Sequence, residues 1–234
     1  MGMKRGDVIS YLDMCREEGV NLQRGMNYRL RNGYSIILMS LRRGAPYADR
    51  VEDEGQILVY EGHDEPTRRG GANPKSLDQP MQYPGGRPTQ NGLFFEVANQ
   101  FKRGQGAPER VKVYEKIQNG IWTYNGFFEL IDAWREKVSE RQVFKFKLRL
   151  AEDCGDPRSV VSEAPQLEHG RIIPTSVKLA VWKRDKGACV KCASRDNLHF
   201  DHVIPFSLGG ASIVAENIQL LCARHNLQKH DRIE

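Results

Sequence analysis

The feature that most restricts what this chain can fold into is a pair of short spacings, Cys189-Val190-Lys191-Cys192 and Cys222-Ala223-Arg224-His225. Two-residue spacing in a tight turn lets two side chains converge on one tetrahedral ion, and three thiolates with one imidazole suit Zn2+. Were His225 a surface helix residue instead, three cysteines would leave an open position, the mark of a catalytic rather than a structural zinc. Residues 176–234 are few enough that an apolar core alone is marginal, so a structural ion is expected to help. The other two cysteines, Cys15 and Cys154, stand alone and read as ordinary thiols.

Between the two pairs lies a strand-like run, Leu198-His199-Phe200-Asp201-His202-Val203-Ile204-Pro205, then a Gly209-Gly210 turn, then Glu216-Asn217-Ile218-Gln219-Leu220-Leu221. A helix containing Asn226 and Lys229 is expected to follow. A hairpin and helix clamped by zinc would hold Asp201, His202 and Asn226 close together. Phosphodiester hydrolysis asks for such a set: a divalent ion on hard oxygen ligands, and a neutral imidazole to take a proton from water. His199 and His230 read as surface residues.

This segment, over about 177–231, resembles the HNH nuclease (ββα-metal) family, whose pattern runs C-x2-C, D-H-x-x-P, G-G, N, L-C-x2-C, then H or N and a nearby K. The resemblance implies that His202 is the general base, and that Asp201 and Asn226 bind the catalytic divalent ion. Asn217 matches the middle asparagine, which braces the loop and orients the base. Cys189, Cys192, Cys222 and His225 would hold the zinc. Two positions depart from the pattern. His225 replaces the fourth cysteine, which zinc accepts, and Asn226 replaces a histidine, exchanging a nitrogen ligand for an amide oxygen and favouring Mg2+ or Mn2+.

Upstream, periodicity predicts helices over 7–18 and about 89–101, the second capped by Thr89, and strands over 34–41, 56–61, 110–116, 127–133 and 143–150. In the last strand Phe144, Phe146, Leu148 and Leu150 alternate with Lys145, Lys147 and Arg149, which predicts an apolar core face and a basic solvated face. Ala151 to Pro174 breaks every period and reads as a connector, with a further helix over 176–184.

Along this part the ordered motifs Gly19-Val20-Asn21-Leu22-Gln23, Gly44-Ala45-Pro46-Tyr47-Ala48-Asp49, Asp53 to His63, Trp122 to Phe128 and Val143 to Leu148 resemble the SRA (YDG) domain over about 5–150. That family binds DNA by flipping 5-methylcytosine into a pocket, and its Y-D-G is here Tyr124-Asn125-Gly126. The resemblance implies that Tyr47 and Tyr60 stack on the flipped base and that Asp49 accepts from the cytosine amino group. One extra residue in this loop leaves Arg50 or Glu52 able to shift into that register. Arg42, Arg43, Arg68 and Arg69 are candidates for phosphate contacts.

The net charge of +5 permits a nucleic-acid partner without requiring one. No apolar run approaches the roughly 20 residues of a membrane helix, and the first residues lack the apolar core of a secretory signal, so no membrane partner and a cytoplasmic setting are expected; the two resemblances together imply a prokaryotic cell. The expected fold is α+β: an SRA-like crescent β-barrel with flanking helices over 1–152, a linker over 153–175, and a zinc-stabilised ββα-metal domain over 176–234. The expected function is a modification-dependent endonuclease acting on double-stranded DNA containing 5-methylcytosine, with a homodimer for double-strand breaks. The alternatives are an HNH nickase of other specificity and a non-cleaving sensor of methylated DNA.

Overall fold

The structure is a computed structural model and describes residues 3–66, 71–151, 172–205 and 210–229. Arg68, Arg69, Cys154, Gly209 and His230 therefore lie outside the described residues, as does most of the expected linker.

Strand β1 (Val8–Ser10) runs into helix α1 (Tyr11–Glu18), so the first predicted helix begins later than its periodicity suggests. Ser10 is the reason: in extended conformation it accepts from the Asp13 backbone N–H through its side chain, and Gly19 closes the helix in the left-handed region. Then come β2 (Met26–Asn27), β3 (Ser35–Met39), β4 (Arg50–Glu52), β5 (Ile57–Glu61), α2 (Gln90–Lys102), β6 (Glu109–Gln118), β7 (Ile121–Val138) and β8 (Arg141–Leu150). Thr89 caps α2 as expected, its hydroxyl accepting from Gly92 N.

The strands form one sheet in the order β2-β3-β6-β7-β8-β5-β4, with β1 paired to the start of β7. Only β3 and β6 run parallel among its neighbours. Among the described residues the sheet is not closed: β2 and β4 end the path unpaired with each other, where a barrel was expected. One core lies between the sheet and α2, with Phe94, Phe128, Phe144 and Phe146 fully buried, and a second lies under α1 around Met14, Tyr34, Tyr114 and Tyr124.

Strand β8 departs from the alternation read in the sequence. Phe144, Phe146 and Leu148 are buried as predicted and Arg149 is exposed, but Lys145 is also buried, its ammonium 2.9 Å from Glu61 Oε2. A buried carboxylate on the neighbouring strand makes that position tolerable to a lysine, since an unpaired ion there would be costly.

Helix α3 (Thr175–Arg184), hairpin strands β9 (Leu198–His202) and β10 (Ile218–Cys222), and helix α4 (Ala223–Lys229) complete the fold. Val177, Val181, Leu198, Phe200, Ile218, Leu220 and Leu221 make their core, and Val8 of β1 packs against it. Strand, strand and helix follow in the order the sequence predicts.

Candidate functional site

The Cys-x2-Cys turn is closed by Cys189 N donating to Ser194 O and Ala193 N donating to Cys189 O, with Ala193 in the left-handed region. Cys222 ends β10 and His225 lies in the first turn of α4. The four donor atoms lie within 4.8 Å of one another. His225 Nδ1 is 3.4 Å from both Cys189 Sγ and Cys222 Sγ, and the Cys192 and Cys222 sulfurs are 3.8 Å apart. Tetrahedral zinc, with bonds of about 2.3 Å to sulfur and 2.0 Å to nitrogen, has edges of about 3.8 and 3.6 Å. The four residues therefore fit the ion, and His225 belongs with them rather than on an open surface. Burial pushes the Cys189 thiol up, but backbone N–H groups of Cys222, Lys191 and Cys192, with the His225 ring, outweigh it and bring it down to about 6.

Asp201 and His202 end β9, paired across the hairpin with Gln219 and Ile218. His202 Nε2 lies 2.8 Å from the buried Ser212 hydroxyl, which fixes the imidazole plane. Asn217 holds the loop beyond: its Oδ1 accepts from Ile204 N at 2.8 Å, and its Nδ2 donates to Ile204 O and Ala211 O, both at 3.1 Å. Gly210 is required in that loop, because a Cβ there would sit 1.8 Å from Ile204 O. Asn217 thus ties the backbone at Ile204 to that at Ala211, on either side of the loop that follows His202.

Lys229, three residues after Asn226 on α4, is buried and donates to His202 O. Its ammonium lies 2.8 Å from Asp201 Oδ2, close enough for an ion pair but out of line for a hydrogen bond, so this buried oxygen accepts none. Asp201 thus sets a carboxylate, the hard oxygen donor a divalent cation takes, at the hairpin end, ion-paired to Lys229, and Asn226 stands in α4 three residues before that lysine. Ser212 and Lys229 were not assigned roles from the sequence. A serine in a loop carries no spacing signal, and the lysine that closes the family pattern names no partner by its spacing.

At the other candidate site, Asp49 is the strut of its loop. Its Oδ1 accepts from Glu61 N at 3.0 Å and its Oδ2 from Ser40 N at 3.3 Å. Burial raises its carboxyl to about 6, against the lowering effect of those two N–H groups. Ala48 N donates to Glu61 Oε2, Lys145 reaches Ala48 O, and Lys75 donates to Pro46 O. Glu61 also pairs with Arg141, which pairs in turn with Asp64. This buried charge network, invisible in the local sequence, sets the path of residues 46–49.

Tyr47 and Tyr60 come together around His63, a residue that the sequence reading left without a role, while the Asp49 oxygens are turned to the backbone of Glu61 and Ser40. The His63 ring stacks on Tyr47 with centroids 5.5 Å apart and planes 20° apart, and its Nε2 is 3.1 Å from the Tyr60 hydroxyl. Tyr60 is only 1% exposed and packs in the sheet core. Lys75 Nζ lies 4.1 Å from the Tyr47 ring centre. Burial lowers His63 to about 4, so the imidazole is neutral at pH 7. Arg42 is half-buried with its Nε lacking a hydrogen-bond partner, and Arg43 is exposed; both lead into the Tyr47 loop.

Residues 189–232 match the family model described as HNH endonuclease, so the chain carries an HNH endonuclease domain there. No curated protein matches the chain. Among solved structures, the SUVH5 SRA complex with hemimethylated CG DNA is 22% identical, with 69% of this chain and 96% of that one covered and a TM-score of 0.46. The SUVH5 SRA complex with fully hydroxymethylated CG DNA is 23% identical, covering 68% and 95%, with a TM-score of 0.45. The modification-dependent TagI restriction endonuclease is 20% identical, covering 97% of this chain and 77% of that one, with a TM-score of 0.41.

Proposed function

We propose that this protein is a modification-dependent DNA endonuclease: residues around Tyr47, Asp49 and Tyr60 take up a flipped 5-methylcytosine, and the HNH domain hydrolyses a nearby phosphodiester. The observation that carries the cutting half is the placement of Asp201 and His202 at one hairpin end, with Asn217 and Ser212 fixing the histidine, inside the segment that matches the HNH endonuclease model. The reading half is supported by the ordered SRA-like motifs and by the meeting of Tyr47 and Tyr60 at His63, with the buried Asp49 carboxylate on the adjoining loop. A flipped base needs flat apolar walls and a polar group for its Watson–Crick edge.

In this reading His202 takes a proton from the attacking water. The Ser212 hydroxyl holds the ring in plane, and Asn217 keeps the loop from drifting. Asp201 and Asn226 would hold Mg2+ or Mn2+, which when bound neutralises phosphate charge and stabilises the leaving oxygen. Cys189, Cys192, Cys222 and His225 would hold zinc as a structural element. The products would carry 3′-hydroxyl and 5′-phosphate ends. One such site cuts one strand, so a double-strand break calls for a homodimer or successive nicks.

The test is digestion of duplexes that differ only in methylation of one cytosine, with Mg2+ or Mn2+ supplied. Preferential cutting of the methylated duplex is expected. Equal cutting of both would leave a nickase of other specificity, and selective binding without cutting would leave a sensor.

A further inference from the structure

The sequence departs from the Y-D-G pattern at Asn125, and the structure gives that departure a physical reason. Opposite β6, Val113 pairs with Gly126 and Tyr114 with Tyr124, so Asn125 is the extra residue of a β-bulge and Gly126 takes a φ of +104°. A bulge redirects the side chain it frees. Here Asn125 turns inward and is only 4% exposed.

Its Oδ1 accepts from Lys178 Nζ at 2.7 Å, and its Nδ2 donates to Glu115 Oε2 at 2.9 Å. Lys178 Nζ is also 2.7 Å from Glu115 Oε2, which closes a triangle, and the Thr175 hydroxyl donates to Glu115 Oε1. Asn125 and Glu115 belong to the large sheet, whereas Lys178 and Thr175 belong to α3, which packs on the nuclease hairpin. An amide both accepts and donates at this point. An ionised aspartate could not donate to Glu115 and would add a second negative charge beside it.

A second seam runs alongside. Phe200 N donates to Gly6 O, and His199 Nδ1 meets Asp7 Oδ1 at 2.7 Å, while Gly6 N donates to Tyr124 O. The segment at Gly6 and Asp7 therefore bonds to the sheet on one side and to β9, the strand that carries His202, on the other. His199, read from the sequence as a surface residue, is half-buried in this seam.

We infer that Lys178, Glu115 and Asn125 form a buried latch that fixes the nuclease hairpin to the large sheet, so that the spacing between recognised base and cut is set by the fold. Every polar atom of this set is satisfied across the contact, and the Gly6–Phe200 and Asp7–His199 bonds lie beside it, so the hairpin leaves the sheet only if both sets of bonds break together. The statement about spacing rests on the modified-base reading above; the docking itself does not.

Two measurements test it on the full-length protein: the positions of cuts on a duplex carrying a single 5-methylcytosine, mapped at nucleotide resolution, and calorimetric unfolding. Asn125→Asp, Lys178→Met and the pair E115Q/K178M are compared with wild type. The pair removes both charges and so avoids burying an unpartnered one. Wild type should cut at one dominant spacing and unfold in one transition. The variants should lose the dominant spacing, scattering cuts over neighbouring positions, and should unfold in two transitions. A residue with only a general structural role would lower the yield at every position without moving the cuts. One dominant spacing and one transition in every variant would overturn the latch, as would scattered cutting by wild type. If wild type cuts methylated and plain duplexes alike, the modified-base reading fails. The latch then stands or falls on calorimetry, with a single transition in all variants overturning it.

Discussion

Around His202 the working side chains all come from residues 201–229, and they are held by hairpin pairing and four soft donor atoms at one point. Around Tyr47 they come from residues 40–145, and they are held by buried ion pairs between strands. The difference follows from size. A small region has little core and must write its own fastening into local spacing. A large sheet with two cores can gather charges from distant strands and bury them.

The largest effect should therefore come from removing the zinc set. Cys222→Ser, or chelation, removes binding energy on the order of 10 kcal/mol that is also folding energy, so the C-terminal region should melt and cutting be lost. The large sheet, with its own core, should keep its far-ultraviolet circular dichroism and its binding to methylated DNA. His202→Ala should come next, lowering cutting by about 10²- to 10⁴-fold in a nicking assay, with DNA affinity unchanged in a gel-shift measurement. Loss of both together would mean that the two regions do not divide the work.

How much of this was legible follows the same division. Cys189, Cys192, Cys222 and His225 could be read because local spacing states their geometry, and their donor atoms converge; the roles of Asp201, His202 and Asn217 came through resemblance to a family whose pattern is local in sequence. At the other site Tyr47, Asp49 and Tyr60 could be named only through resemblance to a family. The residues that position them were not legible: Glu61 reads as the polar end of a strand, and Lys145 as part of a wet basic face. Both become partners only when β5 and β8 pair, with Glu61 directly opposite Lys145. His63 was missed for a related reason, because nothing in its neighbourhood announces that it will stack on Tyr47.

The charge network gives the next prediction. Lys145→Met deprives the buried Glu61 of one of its cations and should destabilise the protein by about 3 kcal/mol, read as a lower midpoint in thermal unfolding. It should also loosen Ala48 and weaken preference for methylated DNA. An unchanged midpoint would mean that the pocket is not held by buried charge.

Asp49 gives an effect of similar or smaller size with a defined pH window. Its carboxyl is at about 6 in the fold against 3.8 for an unperturbed aspartate, so the folded state holds the proton more tightly than the unfolded state. Stability from this group is present at low pH and is lost as pH rises from about 4 to 6, by up to about 3 kcal/mol. Affinity for methylated DNA should change oppositely over that window, because only the ionised form is an acceptor on both oxygens. Asp49→Asn should flatten both profiles; profiles unchanged by that substitution would remove Asp49 from the account.

The smallest effect concerns His63. A base can take the face of Tyr47 only after the imidazole leaves it, and ring pairs of this kind contribute about 0.5–1.5 kcal/mol. His63→Ala should therefore tighten binding of methylated DNA by roughly 2- to 10-fold in a fluorescence-anisotropy titration. Weaker binding would instead make His63 part of the wall.

The division of labour between the two regions is tested most directly by the ratio of cutting rates on methylated and unmethylated duplexes, measured for wild type and for Tyr47→Ala. Wild type should strongly prefer the methylated duplex. In the variant the ratio should collapse toward one while the rate on unmethylated DNA stays as in wild type. A variant that keeps the wild-type ratio would contradict the assignment of choice to the Tyr47 pocket and of cutting to His202.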